Sequence, residues 1–232
     1  MSNSLIEERG SDGQLFTEEK IYYLGTYHKY WLDKARGIKN PSFDRFSSKI
    51  LDLKRGKKAA IEYFYSILEN KIPDDENLMI CVVPSSNPGA GGIGMIKLGR
   101  MLAERKGLID GLYVLERTTK IPKLAYGGNR SRQVHYASVS TDWRHIFQGK
   151  DVFFRKTHEA KFKIRSLKYL SIIRTCLEHR VMPIPSVKIK VRVLLMDDVT
   201  TSGNSLRACR DILKRYDVEK VYMLALGKTA KE

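Results

Sequence analysis

The sequence predicts an α/β protein with a twisted, mainly parallel sheet and helices on both faces. Short apolar runs of strand length alternate with stretches of helical periodicity along most of the 232 residues. Runs that are apolar throughout are typical of strands whose two faces are both covered by helices. The length fits one α/β domain with room for an appended element.

The N-terminal part is expected to contain a tail, a strand and two helices. Residues 1–18 are predicted to form a flexible tail. Aromatic and β-branched side chains in Ile21–Tyr27 predict a short strand or a hairpin arm. Apolar spacing over residues 43–71 predicts two helices, or one kinked helix, with a break at Gly56.

Four apolar runs supply the strands predicted for the core. They are Leu78–Val83, Leu112–Leu115, Val191–Met196 and Lys220–Leu226. Helices are predicted over residues 91–105 and from Leu206 onward, where the apolar spacing changes from continuous to helical. Strand–helix alternation of this kind favours a mainly parallel sheet.

Two adjacent carboxylates, Asp197 and Asp198, follow the third of these strands, where ligands of open α/β sheets bind. A polar loop then leads into a helix, and its residues are Thr200, Thr201, Ser202, Gly203, Asn204 and Ser205. Free backbone N–H groups and the positive end of the helix dipole suit a phosphate monoester. The carboxylates suit the hydroxyls of a ribose or a hydrated Mg²⁺ ion. The alternative is that these residues only cap the strand and the helix.

The order of strand, Asp-Asp, Thr-Thr-Ser-Gly and helix resembles the phosphoribosyl-pyrophosphate (PRPP) motif of type I phosphoribosyltransferases. The resemblance implies that Asp197 and Asp198 hold the ribose hydroxyls and, through water or the ribose, Mg²⁺, while residues 200–205 hold the 5′-phosphate. Thr200 departs from the family pattern, in which an apolar or aromatic residue is usual. Thr201 stands where enzymes that act on 6-oxopurines carry an acid, which argues against hypoxanthine–guanine salvage.

The turn after the first core strand allows two interpretations. In a phosphoribosyltransferase this loop binds pyrophosphate through backbone N–H groups, a role that fits Ser85, Ser86 and Asn87. The same turn contains a G-x-G-x-x-G pattern at Gly89, Gly91 and Gly94, and Glu116 follows at the end of the next strand. A dinucleotide-binding enzyme is therefore an alternative, although it leaves Asp197 and Asp198 without a role.

A basic segment without clear periodicity extends over residues 117–136. The family carries a mobile catalytic loop here, and positioned cations can stabilise the charge of departing pyrophosphate. The resemblance makes four cations catalytic candidates: Lys120, Lys123, Arg130 and Arg132. The alternative is a solvated basic loop.

Three further stretches resemble the ComF-like, competence-associated branch of the family. They are Tyr22–Tyr27 followed by residues 50–57, the segment 115–137, which resembles the branch only loosely, and Val221–Thr229. The resemblance covers about residues 20–140 and 187–230, and implies a phosphoribosyltransferase domain over 19–232 whose residues 19–77 form an N-terminal hood. The cysteine-rich zinc element that often begins ComF proteins is missing from this sequence.

The chain carries a formal net charge of +16, which attracts phosphorylated substrates and nucleic acid alike. Residues 144–190 are predicted to form a basic helical insertion, either packed on the sheet or binding a nucleic-acid or protein partner. The oligomeric state stays open, a homodimer included. No apolar run is long enough for a membrane span, and the polar N-terminus does not resemble a signal peptide. Three dispersed cysteines suggest a cytoplasmic location.

These expectations combine into a Mg²⁺-dependent transfer of phosphoribosyl from PRPP to an unknown base, with release of pyrophosphate. The alternative is a non-catalytic regulator of the same fold that senses PRPP or a nucleotide, or that binds nucleic acid.

Overall fold

The computed structural model describes residues 20–88, 92–121, 131–142, 191–216 and 218–230. The predicted tail at 1–18 and the predicted insertion at 144–190 lie outside the described residues. Lys123 and Arg130 also lie outside them.

Five parallel strands form the central sheet, in the order β1, β9, β8, β4, β5. The strands of the described chain are β1 (Ile21–Tyr27), β2 (Trp31–Asp33), β3 (Ile38–Lys39), β4 (Leu78–Val82), β5 (Ile109–Asp110), β6 (Leu115–Arg117), β7 (Val139–Thr141), β8 (Arg192–Thr200) and β9 (Lys220–Thr229). Two short antiparallel pairs, β2 with β3 and β6 with β7, lie outside this sheet. The α/β class and the parallel sheet predicted from the sequence are confirmed.

Helices cover both faces of the sheet. They are α1 (Arg45–Lys54), α2 (Lys58–Leu68), α3 (Ile93–Lys106), α4 (Arg132–Ala137) and α5 (Asn204–Lys214). Helices α1, α2 and α3 pack on one face, where Leu194 and Met196 of β8 point. Helix α5 packs on the other face against Val193 and Leu195, because successive side chains of a strand point to opposite sides.

The N-terminal residues complete the sheet and one helical layer. The segment expected as a hood places β1 at the sheet edge beside β9, and α1 and α2 on one face. Gly25 pairs with Gly227 across the two strands, and the ring of Phe46 lies over them. A Cβ atom on Gly25 would lie 3.0 Å from that ring, so the missing side chain lets α1 approach the sheet.

The strand predicted over Leu112–Leu115 is wrong. Leu112 and Val114 are buried, but they lie in a turn between β5 and β6. The Asp110 carboxylate accepts a hydrogen bond from the Leu112 N–H (3.1 Å), and the Val114 N–H donates to the Gly111 carbonyl (3.1 Å). The largely apolar run predicted a strand here, but the turn-forming pair Asp110-Gly111 just before it favours the observed turn.

Candidate functional site

The topology of the sheet creates a crevice at the carboxyl ends of the neighbouring strands β4 and β8. The chain leaves β4 for α3 on one face and leaves β8 for α5 on the other, since β5 and β9 lie on opposite sides of this strand pair. The two loops therefore diverge at the carboxyl ends of the strands, the usual ligand position in such sheets. The sheet thus brings residues 85–87 and 197–205, predicted separately from the sequence, to one edge.

The two carboxylates lie near the end of β8 and are only partly exposed. Asp197 Oδ1 accepts a hydrogen bond from the Asp198 N–H at 2.8 Å, which fixes the first carboxylate against the backbone. Asp198 Oδ1 lies 3.1 Å from the Nζ atom of Lys54 at the end of α1. The negative charge of the two carboxylates is therefore partly balanced by Lys54, a cation that the sequence did not place in the site.

Lys54 lies between Asp198 and the ring of Tyr27, whose centroid is 6.0 Å from its Nζ atom. Burial lowers the pKa of the ammonium, but attraction to Asp198 outweighs it, so that the pKa of Lys54 is raised above its ordinary value. Burial also raises the pKa of Tyr27, with Lys54 opposing this shift. Because both pKa values are raised, Lys54 is an ammonium and Tyr27 a neutral phenol at neutral pH.

Gly203 shapes the loop between β8 and α5. Its φ angle of +80° lies in the left-handed region, and the residue caps the N-terminus of α5. A Cβ atom there would lie 2.3 Å from Ile21 Cδ1. Both the backbone angle and the space require glycine, and they aim the start of α5 at the crevice side of the sheet.

The remaining residues of the predicted phosphate loop differ in the exposure and the hydrogen-bond partners of their side chains. Thr201 and Ser202 are exposed, and Thr201 Oγ1 lies 2.9 Å from Thr229 Oγ1 at the end of β9. Ser205 Oγ lies 3.2 Å from Nε2 of the buried His135. The N–H of Asn204 donates to Ser202 Oγ at 3.4 Å, which tightens the turn.

Thr200 belongs to β8 and is 7% exposed, which makes it the least exposed of the hydroxyl-bearing residues in 200–205. The strand runs on because Thr200 pairs with Lys228 of β9.

The loop after β4 is held from behind by a buried arginine. Arg117 donates hydrogen bonds to the carbonyls of Ser85 (3.0 Å) and Pro84 (3.3 Å). The N–H of Ile121 donates to the Ser86 carbonyl at 3.1 Å. Within the loop, Ser85 Oγ donates to the Asn87 carbonyl at 2.8 Å. The predicted pyrophosphate loop is therefore ordered by groups that the sequence analysis did not assign.

The basic segment that begins at Arg117 contains a helix, α4, that the sequence did not predict. Arg132 starts this helix, and its Nε atom donates to Asp211 Oδ2 of α5 at 2.7 Å. Lys120 is exposed. Of the two catalytic candidates within the described residues, Arg132 therefore has its charge paired on α5, and Lys120 faces solvent.

The third glycine of the G-x-G-x-x-G pattern serves helix packing. Gly94 lies in the first turn of α3, where a Cβ atom would lie 1.7 Å from the Leu53 carbonyl oxygen. Glu116 lies in β6, which pairs with β7 outside the central sheet. The acid expected at the end of a central strand in a dinucleotide-binding fold thus lies in a separate antiparallel pair. Gly89 and Gly91 lie outside the described residues.

The described ranges contain no group of three or more His, Cys, Asp or Glu side chains that could hold a metal ion. Asp197 and Asp198 could supply oxygen ligands to Mg²⁺, which usually keeps several waters and binds through one or two carboxylates together with substrate phosphates. The two carboxylates fit such a partial set, with the other ligands coming from water and a phosphorylated substrate.

Comparison with protein-family models and with curated proteins gives no match for this chain. Among the described helices, none combines the length and apolar character needed to cross a membrane.

Proposed function

We propose that the crevice binds PRPP with Mg²⁺ and transfers its phosphoribosyl group to a nucleobase-like acceptor, as in a type I phosphoribosyltransferase. The observation that carries the proposal is the placement of the Asp197–Asp198 pair beside a glycine-capped helix N-terminus, across a crevice from the loop at 85–87. A sugar diol, a phosphate and a second anion would each meet suitable groups within this arrangement.

The roles follow from the chemistry of each group. Asp197 and Asp198 would accept hydrogen bonds from the ribose 2′ and 3′ hydroxyls. Residues 201–205 would hold the 5′-phosphate through N–H groups, small hydroxyls and the dipole of α5. Ser85, Ser86 and Asn87 would face the pyrophosphate, and Lys54 would reduce the repulsion between the carboxylates and an anionic ligand.

In the proposed reaction the bond between C1′ and the pyrophosphate oxygen breaks, and a nitrogen of the acceptor bonds to C1′ through an oxocarbenium-like state. The electron pair of the broken bond leaves with pyrophosphate, and the proton of the acceptor nitrogen passes to water, since Thr201 offers no carboxylate. Bound Mg²⁺ would neutralise charge on the pyrophosphate. Lys120, Lys123, Arg130 and Arg132 remain the proposed cations of the 117–132 segment for the same purpose.

Replacement of both carboxylates tests the proposal. Asp197→Asn with Asp198→Asn should abolish PRPP binding measured by calorimetry in the presence of Mg²⁺. Asp52→Asn is a matched control, because Asp52 forms its ion pair with Lys57 (2.8 Å) on the connection between α1 and α2. Unchanged PRPP affinity in the double variant would refute the assignment.

A second candidate is a regulator of the same fold that senses PRPP or a nucleotide and binds nucleic acid without turnover. The net charge of +16 favours it, because one small substrate does not require so much positive charge. Pyrophosphate release from PRPP across a panel of bases separates the two. Release with any base supports the transferase, whereas PRPP binding without release, together with salt-sensitive binding to DNA or RNA, supports the regulator.

A further inference from the structure

Arg117 is a buried cation that holds a loop by its backbone. The residue is 6% exposed and lies at the end of β6. Its guanidinium donates to the carbonyl oxygens of Pro84 and Ser85, and to the hydroxyl of Ser138 at 2.5 Å. One side chain thus fixes two successive peptide groups of the loop after β4.

The orientation of these peptide groups has a consequence for the opposite side of the loop. The described chain has no cis peptide bonds, and in a trans peptide the C=O and N–H bonds point in opposite directions. Since the carbonyls of Pro84 and Ser85 point at Arg117, the N–H groups of Ser85 and Ser86 point away from it. Neither N–H has a hydrogen-bond acceptor among the residues that the structure describes.

The next peptide group continues the pattern. The carbonyl of Ser86 accepts the hydrogen bond from the Ile121 N–H, so the N–H of Asn87, in the same peptide group, points away from Ile121. The internal bond from Ser85 Oγ to the Asn87 carbonyl keeps the turn tight. Successive N–H groups on one side of a turn form a concave anion-binding surface.

We propose that Arg117 is a positioning residue that presents the N–H groups of Ser85 and Ser86 to the diphosphate end of the ligand. This inference rests on the proposed function and names the group that prepares one subsite for a diphosphate. The guanidinium acts through the loop backbone and does not contact the ligand. A planar fork with several donors can hold two carbonyls and a hydroxyl together, which the point charge of a lysine cannot do.

Ser138 fixes the direction of the guanidinium. Its hydroxyl accepts from Arg117 and lies 2.7 Å from the Val134 carbonyl, to which it donates. The proton of the hydroxyl is used in the second bond, so that its lone pairs remain for the arginine. Ser138→Ala therefore loosens Arg117 without removing its charge.

The experiment compares two probes, inorganic pyrophosphate and ribose 5-phosphate, titrated separately by calorimetry with Mg²⁺ present. The variants of the full chain are Arg117→Lys and Ser138→Ala. Arg192→Gln is the control, because Arg192 pairs with Asp75 and lies at the amino end of β8. We expect Arg117→Lys to bind pyrophosphate about tenfold more weakly, as the loss of one hydrogen bond to an anion predicts. Its affinity for ribose 5-phosphate should be unchanged, since that ligand needs only residues 197–205.

Ser138→Ala should weaken pyrophosphate binding by a smaller factor, and it decides the question if Arg117→Lys does not fold. Amide exchange adds a readout that general destabilisation would not reproduce, because pyrophosphate should protect the Ser85 and Ser86 amides in the wild type and less in the variants. Wild-type pyrophosphate affinity in each variant that folds overturns this inference alone. A wild-type chain that binds neither pyrophosphate nor PRPP overturns it together with the proposed function.

Discussion

The ammonium of Lys54 lies 3.1 Å from the carboxylate of Asp198, and this ion pair joins the end of α1 to the carboxyl end of β8. The two residues come from opposite ends of the chain and meet at the edge where the loops of the sheet diverge. The side chains are 41% and 25% exposed, so the pair contributes at most about 1 kcal/mol to stability. In the proposed function, its larger effect would be on the charge that PRPP meets at this edge of the sheet.

Lys54→Met should weaken PRPP binding by about tenfold, because an uncompensated carboxylate would then face an anionic ligand. Its urea midpoint should change little, since the pair is partly solvated. Lys57→Met removes the same charge a few residues away, where the partner is Asp52, and serves as the control. Equal PRPP affinity of the two variants in calorimetry would contradict the role given to Lys54.

Gly203→Ala should destabilise the protein more than Gly37→Ala. Both glycines have positive φ angles, +80° and +69°, so both substitutions incur the left-handed penalty of about 1 kcal/mol. Only Gly203 also faces a clash with Ile21, whereas a Cβ atom on Gly37 would meet nothing within 4 Å. Urea unfolding measures the difference, and affinity for ribose 5-phosphate should fall only in Gly203→Ala. Equal unfolding midpoints would show that the loop shifts without strain.

Gly94→Ala should lower the free energy of unfolding by about 3 kcal/mol or prevent folding, because backbone must move to relieve the overlap with the Leu53 carbonyl. Gly92→Ala is the matched control, since its Cβ atom would lie 3.8 Å from Met95 Cβ, an ordinary contact. Thermal unfolding followed by circular dichroism compares them. A stable Gly94→Ala variant would mean that α1 and α3 are less closely packed than described.

Cys81 and Cys209 should resist thiol reagents in the folded protein at pH 8. Both are 0% exposed, and burial raises the pKa of each thiol, to about 12 for Cys209. The reactive thiolate is therefore almost absent. In a Cys176→Ser variant, a colorimetric thiol assay should detect no cysteine before unfolding and two afterwards. Rapid labelling of either thiol in the folded protein would contradict the burial.

The same pKa shifts set the direction of the alkaline stability change. A pKa raised in the folded state gives stability that is present below the unfolded value and lost above it. Stability should therefore fall as the pH rises above 9.0, the ordinary thiol value, with Tyr27 adding to the loss above 10.0. Urea midpoints at pH 8, pH 10 and pH 11 measure this change, and Tyr27→Phe should reduce the part of the loss that falls between pH 10 and pH 11.

The core of the fold could be predicted from the sequence, because a continuous apolar run such as Leu78–Val83 rarely forms anything other than a buried strand. It also located residues 197–205, since carboxylates directly after an apolar strand mark a sheet edge whatever the rest of the chain does. The end of β8 extends further than predicted because its ladder with β9 continues past the polar residues to Thr200. The predicted strand ended at Met196 because polar residues follow. In the structure, hydrogen bonding with β9 determines where the strand ends.

One shared reason explains why the sequence did not predict the roles of Lys54, Arg117 and His135. Each acquires its partner through the tertiary fold, as Arg117 does across 32 positions to Ser85. A lysine after a buried leucine in α1, or an arginine that begins a basic segment, resembles any solvated cation. Burial, which makes Arg117 unusual, has no signal in a single sequence.

The parallel pairing of β1 with β9 places residues 21–27 against residues 223–229. A ribosome releases the first partner about two hundred positions before the second, so β1 must wait until residues 223–229 have been made before it can pair with them. Its ordering should therefore be among the last steps of folding, slowed by the loop that has to close. Since Tyr27 ends this strand and contacts Lys54, the surroundings of Lys54 and Asp198 would be completed only after β9 has emerged.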